Sequence, residues 1–457
     1  MKYSKVDKGL SMSFFMVYKI KVLIFLLISF CSSEIKLEPI INFDYHLSGS
    51  DWVTQNQTIY STGVGLKFKI HNNNINLVGS FLNNRFNGAR FKSNLFNANK
   101  GIGWANSHEL KGEKFDYDIA NVSFFYNKNQ VRFFFSTLNP KVDISYSSIL
   151  ISNKIPSLPH IGFKWIITPN NSYKYYHGRL KSEIIDSSGS DLDLAGFRKS
   201  EIESYFVFHQ LTYEPFDFIE LRFGEFVVYG NRGFELSYFP FLPFWSVQHF
   251  IGDLDNIQWN LITILNPTEN IKLYNVFLVD EFRPGLAFKK NNRNWFAWQI
   301  GIINRNLFLE DEIKLEFSWA DHRVYRHRFP YNEFYSNDYP IGFWAGPHSQ
   351  EFLFNYKIDL KDFQLIINYS SATRGKVTND MIKDQYATKY YERFSGILEK
   401  KEMITFSFEK SIFNSFLICF GINFINWENA GLNPRNEVDD LLNDIKKRSY
   451  FISLSNI

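Results

Sequence analysis

Connections that alternate between short and long restrict what this chain can fold into more than any motif in it. Between them lie runs in which apolar and polar side chains take turns, the period of a β-strand with one greasy and one wet face. The runs fall at 40–49, 57–70, 75–85, 117–126, 130–138, 160–168, 172–185, 202–213 and 218–228 in the first half. The second half gives 257–266, 270–282, 294–304, 312–325, 349–358, 363–373, 402–411, 415–426 and 449–457, eighteen in all. Short turns sit at 71–74, 127–129, 169–171, 214–217, 267–269, 305–311, 359–362 and 412–414. After a first connection at 50–56, long ones fill 86–116, 139–159, 186–201, 229–256, 283–293, 326–348, 374–401 and 427–448. A barrel spanning a bacterial outer membrane has an even strand number, short periplasmic turns and long external loops. A soluble sandwich has no reason to keep that parity. The expected fold is all-β, a single closed antiparallel transmembrane β-barrel of about eighteen strands, with short helices in the long loops and both termini periplasmic.

The faces agree with that reading. Ile219, Leu221 and Phe223 oppose Glu220 and Arg222, and Ile313, Leu315, Phe317 and Trp319 oppose Lys314, Glu316 and Ser318. In the same way Phe416, Ile418, Phe420, Ile422 and Phe424 oppose Leu417, Cys419, Gly421 and Asn423, and Val64, Leu66, Phe68 and Ile70 oppose Gly63, Gly65, Lys67 and Lys69. An Arg or Lys facing the bilayer midplane costs about 2–4 kcal/mol, so the charged sides must line the interior, where both signs can pair. In 130–138, QVRFFFSTL, the alternation blurs.

Forty-nine Phe and 25 Tyr among 457 residues coexist with a slightly negative mean hydropathy, so spanning helices are not expected. The one long apolar run, Val22 to Phe30, is too short to cross as a helix. It follows Lys19 and Lys21 and precedes CSSE, the order of a secretory signal, which assigns 1–33 as a signal peptide and 34–457 as the barrel. Residues 1–33 carry a net charge of +4, and subtracting this from the formal +3 leaves about −1, which argues against nucleic acid as a partner. Phe30 is bulky where a lipoprotein signal wants a small residue before Cys31. Cys419 then stands alone, with no disulfide framework and no thiolate cluster. An exported chain of this kind points to a bacterial outer-membrane protein, a monomer inserted by the barrel assembly machinery with lipid around it.

Two long loops carry helix signals. In NEVDDLLNDIKKR, Asn436 can cap, acidic residues follow, Lys446, Lys447 and Arg448 close the segment, and Val438, Leu441, Leu442 and Ile445 form an apolar stripe expected to cover the barrel mouth or pack inside it. Thr378–Gly396 is a second, weaker helical stretch.

No GxSxG elbow, P-loop, HExxH or CxxC occurs. Asp321, His322 and His327 suggest a base or a metal pair, yet a strand end is where a satisfied rim histidine is commoner. Asp191 and Asp193 lack the later acidic ligands of a calcium loop. No cofactor, metal or catalytic residue is assigned. The aromatic-plus-charge loops are better placed to do something. Sugar rings have apolar C–H faces and a rim of hydroxyls, so a saccharide site needs flat aromatic platforms beside bidentate hydrogen-bonding groups. Loop 229–256 supplies Tyr229, Arg232, Glu235, Tyr238, Phe241, Trp245, Asp253 and Asp255. Loop 326–348 supplies Arg326, His327, Arg328, Tyr331, Asn332, Tyr335, Trp344 and His348.

The succession RFGEFVVYGNRGFELSYFPFLPF, GDLDNIQ, FLVDEFRP and HRVYRHRFPYNEFYSNDYPIGFWAGPHSQEF, within about 160–358, resembles the Wzi-type capsule-assembly proteins of bacterial outer membranes. The resemblance implies an eighteen-stranded barrel that binds capsular or exported polysaccharide at the cell surface, without catalysis. By motif position it carries over Arg232, Glu235, Asp253, Asp255, Asn256, Asp280, Glu281, Arg283, Tyr331, Tyr335 and His348. Tyr229, Trp245, Arg328 and Trp344 complete the candidate polysaccharide-binding set. The chain departs from the family in ending SYFISLSNI, without a terminal aromatic, and in placing its helical stretches on the long-loop side rather than in a periplasmic bundle. The alternative function is a porin-like channel for small or sugar-like solutes, and a third class, an outer-membrane hydrolase, requires converging Ser, His and acidic residues.

Overall fold

The computed structural model describes residues 34–50, 57–89, 96–99, 101–102, 113–193, 196–286, 289, 294–384, 391–412, 416–435, 439 and 442–456. The assigned signal peptide, 1–33, lies outside the described residues.

One strand forms in each of the eighteen expected places. The first nine are β1 (Glu34–Leu47), β2 (Ile59–His71), β3 (Ile75–Asn87), β4 (Lys114–Lys128), β5 (Val131–Ser136), β6 (His160–Thr168), β7 (Asn171–Asp193), β8 (Gly196–Phe216) and β9 (Ile219–Gly230). Then come β10 (Asn256–Leu265), β11 (Ile271–Glu281), β12 (Trp295–Arg305) and β13 (Asp311–Ala320), and a two-stranded hairpin of β14 (Tyr335–Ser336) with β15 (Tyr339–Pro340). The rest are β16 (Ser349–Leu360), β17 (Phe363–Gly375), β18 (Leu398–Ile412), β19 (Phe416–Ala430) and β20 (Asn443–Asn456). Each barrel strand is antiparallel to its neighbours. The sheet closes because β1 pairs with β2 on one side and with β20 on the other, Phe43 opposite both Thr62 and Leu454. Closure leaves no unpaired edge, as a strand in lipid requires.

Residues opposite one another across a ladder share a face. The register therefore aligns Leu261, Phe277, Trp298 and Trp319 on one side and Ile262, Val276, Gln299 and Ser318 on the other. The first set belongs to a wall of exposed apolar side chains that includes Val64, Phe81, Phe135, Phe223, Ile300, Leu315, Phe352 and Phe420. Such a belt would be costly in water and is the exterior of a membrane barrel. The second set faces inward. Gly63 and Gly65 are inward positions on β2, where a Cβ at Gly63 would meet Asn84 Oδ1 at 2.3 Å. At the short-turn half the lumen carries paired charges, Lys67 with Glu38 at 3.9 Å and Lys314 with Glu312 at 2.9 Å.

Two of the long connections do not project. Segment 137–159 turns into the barrel, where Glu316 accepts hydrogen bonds from Tyr146 N at 2.9 Å and Ser147 N at 2.8 Å, and Gln299 Nε2 donates to Ser147 O at 2.6 Å. Segment 321–348 folds in beside it. Ser152 N donates to Ile341 O at 2.6 Å and Tyr325 Oη to Ile149 O at 2.6 Å, so the two segments join across the lumen. Val142, Ile149, Leu150, Ile155, Val324, Phe334, Phe343 and Trp344 are buried between them and the wall. This interior packing is the protein's main core.

Three expectations need correction. Residues 186–201 are not a loop: β7 and β8 continue as a paired hairpin to Asp193 and Gly196, with register shifts between Lys181 and Ile185 and between Asp186 and Asp191. Its Ser- and Gly-rich tip reads as a turn, but the backbone is satisfied more fully by prolonging the ladder. The C-terminal helix is also wrong from Asn443 onward. Ala430 pairs with Asn443 and Trp427 with Ile445, so Ile445 to Arg448 lie in β20. The stripe of Val438, Leu441, Leu442 and Ile445 has helical spacing, but the open edge of β19 takes Asn443 onward as strand; Asn436, Val438 and Leu441 lie outside the described residues. Finally, β13 ends at Ala320, not at residue 325. Of the second helical stretch, Thr378–Gly396, a short helix forms at Asn379–Lys383, with Thr378 Oγ1 accepting from Met381 N, residues 391–396 are not helical, and 385–390 lie outside the described residues.

Candidate functional site

Loop 231–255 shapes the site by folding back over the outer wall, and is called the strap below. Alternation puts Tyr173, Tyr175, Val207, His209, Glu225, Val227 and Tyr229 on the outward face, and the strap covers them. Its helix, Phe244–Ile251, follows Pro243, which offers no side-chain cap. Glu225 supplies the cap, accepting from Phe244 N at 2.6 Å, His209 Nε2 at 2.9 Å and Trp259 Nε1 at 2.9 Å. A carboxylate at a helix N-terminus satisfies orphan amides and suits the dipole. Gly252, at φ 118°, ends the helix in the left-handed conformation that glycine adopts without strain, and Asp253 follows at φ 57°.

The far end of the strap is locked by Asp255. Buried, it accepts from Arg232 Nη1 at 2.8 Å and Nη2 at 2.5 Å and from Tyr238 Oη at 2.5 Å, while the guanidinium lies 4.6 Å from the Tyr229 ring centroid. Burial pulls the Arg232 guanidinium down, but the hydrogen bonds and charge of Asp255 overcome that and hold it above its ordinary value. Glu235 is held below the usual carboxylate range by hydrogen bonds from Ser237.

A cleft of about 350 Å³ opens between the helix, the long-loop ends of β10 and β11, and the chain after Glu281. Trp245, Asp253, Asp255, Asn256, Asp280, Glu281 and Arg283 line it, seven of the fifteen candidate residues brought together. Gln248, His249, Ile257, Trp259, Val279, Phe282, Trp295 and His327 complete the walls. Trp259 and Trp295 were missed because each reads as an ordinary strand residue, and the only available signal was a tryptophan within the first four residues of a strand. Burial, with the charge of Arg328, holds the His327 imidazole at about 4 and therefore neutral. Asn256 and Trp295 are both more than nine-tenths buried, and Asn256 Nδ2 and Trp295 Nε1 have no acceptor among the described residues. Six aromatic or imidazole rings and seven polar or charged side chains thus converge on the cleft, flat faces beside hydrogen-bonding groups.

The remaining candidates separate from the cleft. Tyr229, Arg232 and Glu235 hold the strap to the wall. Arg328 and Tyr331 lie beside it, Arg328 Nη2 reaching Asp253 O at 3.5 Å and Tyr331 O accepting from Ser204 Oγ at 2.8 Å. Tyr335, Trp344 and His348 are buried in the inward fold, against the expectation that loop 326–348 presents them to a ligand. Trp344 Nε1 donates to Glu351 at 2.8 Å, Tyr335 stacks under Arg435, and His348 Nε2 accepts from Phe394 N at 2.8 Å. Asp321 and His322 pair at 2.7 Å, and no group of three or more metal-ligating side chains occurs among the described residues.

Among solved structures, the chain overlays on Wzi of Escherichia coli with a TM-score of 0.58 and 11% identity, over 95% of this chain and 87% of that one. The fold is a Wzi-like barrel. That protein is described as an outer-membrane protein involved in group 1 capsule assembly and as a carbohydrate-binding β-barrel. Pseudomonas aeruginosa OccK8 (OprE) gives a TM-score of 0.49 at 10% identity, over 93% of this chain and 98% of that one. Acinetobacter baumannii OccAB2 gives 0.48 at 11%, over 94% and 98%. No family model and no curated protein matches the sequence.

Proposed function

We propose that this chain is a non-enzymatic outer-membrane barrel that binds or anchors capsular or exported polysaccharide at the cell surface and assists its assembly into a capsule. The cleft at the long-loop rim carries the proposal. It offers Trp245 as a stacking plate, Glu281 and Arg283 for paired hydroxyls, and the unsatisfied donors of Asn256 and Trp295 as groups that a sugar oxygen would relieve. In this reading residues 1–33 direct export, the barrel assembly machinery inserts 34–457 as a monomer, and the long loops face outward. A repeating polymer that meets many such clefts on one cell is retained strongly even when each contact is weak. The carbohydrate binding ascribed to E. coli Wzi, on the same fold, supports the reading.

The channel alternative has one observation in its favour, the half-exposed Lys67 and Glu38 inside the short-turn half. Against it stand the two segments joined across the lumen. The test is titration of the purified barrel with the producing cell's own surface polysaccharide. Trp245→Ala and Glu281→Ala should each weaken binding about tenfold, or roughly 1.4 kcal/mol. Wild-type barrel that shows no binding while conducting ions in planar bilayers would replace the anchor with the channel.

A further inference from the structure

We propose that the strap is immersed in the outer leaflet, presenting Leu236, Phe239, Phe241, Leu242 and Phe250 to lipid acyl chains rather than to water, while Trp245 and His249 face the cleft. Height is the first argument. Glu225 is the seventh of the twelve residues of β9, whose short-turn end is marked by the stacked, exposed rings of Phe216 and Phe218. Six residues along a tilted strand rise about 15 Å, within an apolar band about 25 Å tall. The helix that Glu225 caps therefore begins below the top of the band.

Polarity is the second argument. Tyr173, His209 and Glu225 are outward-facing, hydrogen-bonded groups on a wall whose neighbouring outward residues, Leu211, Phe223 and Leu261, are apolar. Open to lipid, they would be expensive. The strap packs over them, with Phe241 stacked on Tyr173 at 4.7 Å between centroids and Phe244 on His209 at 4.0 Å. It can do so in lipid only if its own outer surface is apolar. The seventeen residues from Leu236 to Gly252 contain no Asp, Glu, Lys or Arg. Phe250 is 90% exposed, Leu236 75% and Phe239 61%, with Phe241 and Leu242 about half exposed. In water this would be a large unexplained apolar patch; continuous with the belt, it is a second layer of the lipid-facing wall. A groove of about 410 Å³ beside these groups, floored by Leu211, Phe223, Leu261 and Phe277, is where the edges of Tyr173, His209 and Glu225 remain reachable, and it has room for a lipid tail that would cover them.

The test places an indole at either end of the strap, by Phe250→Trp and Leu236→Trp, in barrels reconstituted into lipid nanodiscs. Both positions are exposed, so folding is kept, and heat-modifiable gel migration verifies it. The emission gained over wild type should fall by more than half when the phospholipid is brominated on its acyl chains, and by less than a tenth with aqueous iodide. Iodide quenching of either variant to the level of a free indole, with no effect of brominated lipid, would overturn the proposal. Neither result depends on whether the cleft binds glycan.

Discussion

Truncating Asp255 to alanine should free the strap while leaving the barrel intact. The carboxylate accepts three hydrogen bonds, two from the Arg232 guanidinium and one from Tyr238, and its side chain is 1% exposed against 30% for Arg232. Hydrogen bonds to a charged group contribute about 1.5–3 kcal/mol each, and breaking a buried ion pair costs about 3–5 kcal/mol because the other charge stays unpaired. Arg232 keeps partial access to water, which places the expected loss at the lower end, about 3 kcal/mol. That raises the population of the opened strap by roughly 150-fold. The loss should stay local, because Asn256 remains paired with Val228 in the ladder next to it. Hydrogen exchange over 232–254, or chymotrypsin cleavage within that aromatic stretch, reads the opening directly, and the unfolding midpoint of the barrel should move little. Arg232→Ala combined with Asp255→Ala should be milder than Asp255→Ala alone, since no unpaired cation is left. A rise of less than threefold in strap exchange for Asp255→Ala would refute the reasoning and shift the lock to Glu225 and the hydroxyls of Tyr173, Tyr175 and Tyr229.

Glu316→Ala removes the acceptor for Tyr146 N, Ser147 N and the Tyr274 hydroxyl, so segment 137–159 should loosen and single-barrel conductance in planar bilayers should rise above wild type. His348 is held neutral, with its pKa lowered to about 4 chiefly by burial, and its Nε2 must stay unprotonated to accept from Phe394 N. The unfolded imidazole titrates near 6.5, so the stability from this site is fully present above about pH 6.5 and is lost as pH falls toward 4. Hydrogen exchange around Phe394 should therefore accelerate over that window, and His348→Gln should flatten the profile. Leu315→Arg puts a cation on the lipid-facing wall and should destabilise the barrel by about 2–4 kcal/mol in urea titrations in lipid, whereas Lys314→Arg, facing the lumen, should be nearly neutral.

The strands were legible because lipid outside and packed protein inside impose opposite demands on successive residues, and that demand is written locally. Ile313 to Trp319 show it without ambiguity. Where one of the two demands lapses, the reading fails. The β7–β8 hairpin runs on past the belt, so nothing enforces alternation there, and its Ser-Gly tip passed for a loop. At the start of β20 the decisive fact is the edge waiting on β19, which no local pattern of Val438, Leu441, Leu442 and Ile445 contains.

Direction is the harder problem for the site, because an aromatic loop reads the same whether it rises from the rim, folds into the lumen or lies down the outer wall. Loop 326–348 takes the second course and buries Tyr335, Trp344 and His348; loop 229–256 takes the third and spends Tyr229 and Tyr238 as packing. What separates the two is the strand ending beneath each. Above β9 the outward face carries Glu225 and His209, polar groups that lipid cannot satisfy, so the following loop is drawn outward to cover them. Above β13 the inward face carries Glu316 and Ser318, and the polar lumen draws segments in. The cleft forms where these courses diverge, between a strap held outside by Asp255 and a fold held inside by Tyr325 N on Asp280 at 2.9 Å. Acidic residues, Asp253 and Glu281 among them, are thus left at the rim with the tryptophans, so that most of the residues that converge there come from the ends of runs, and the aromatic centre of the strap adds Trp245 and His249.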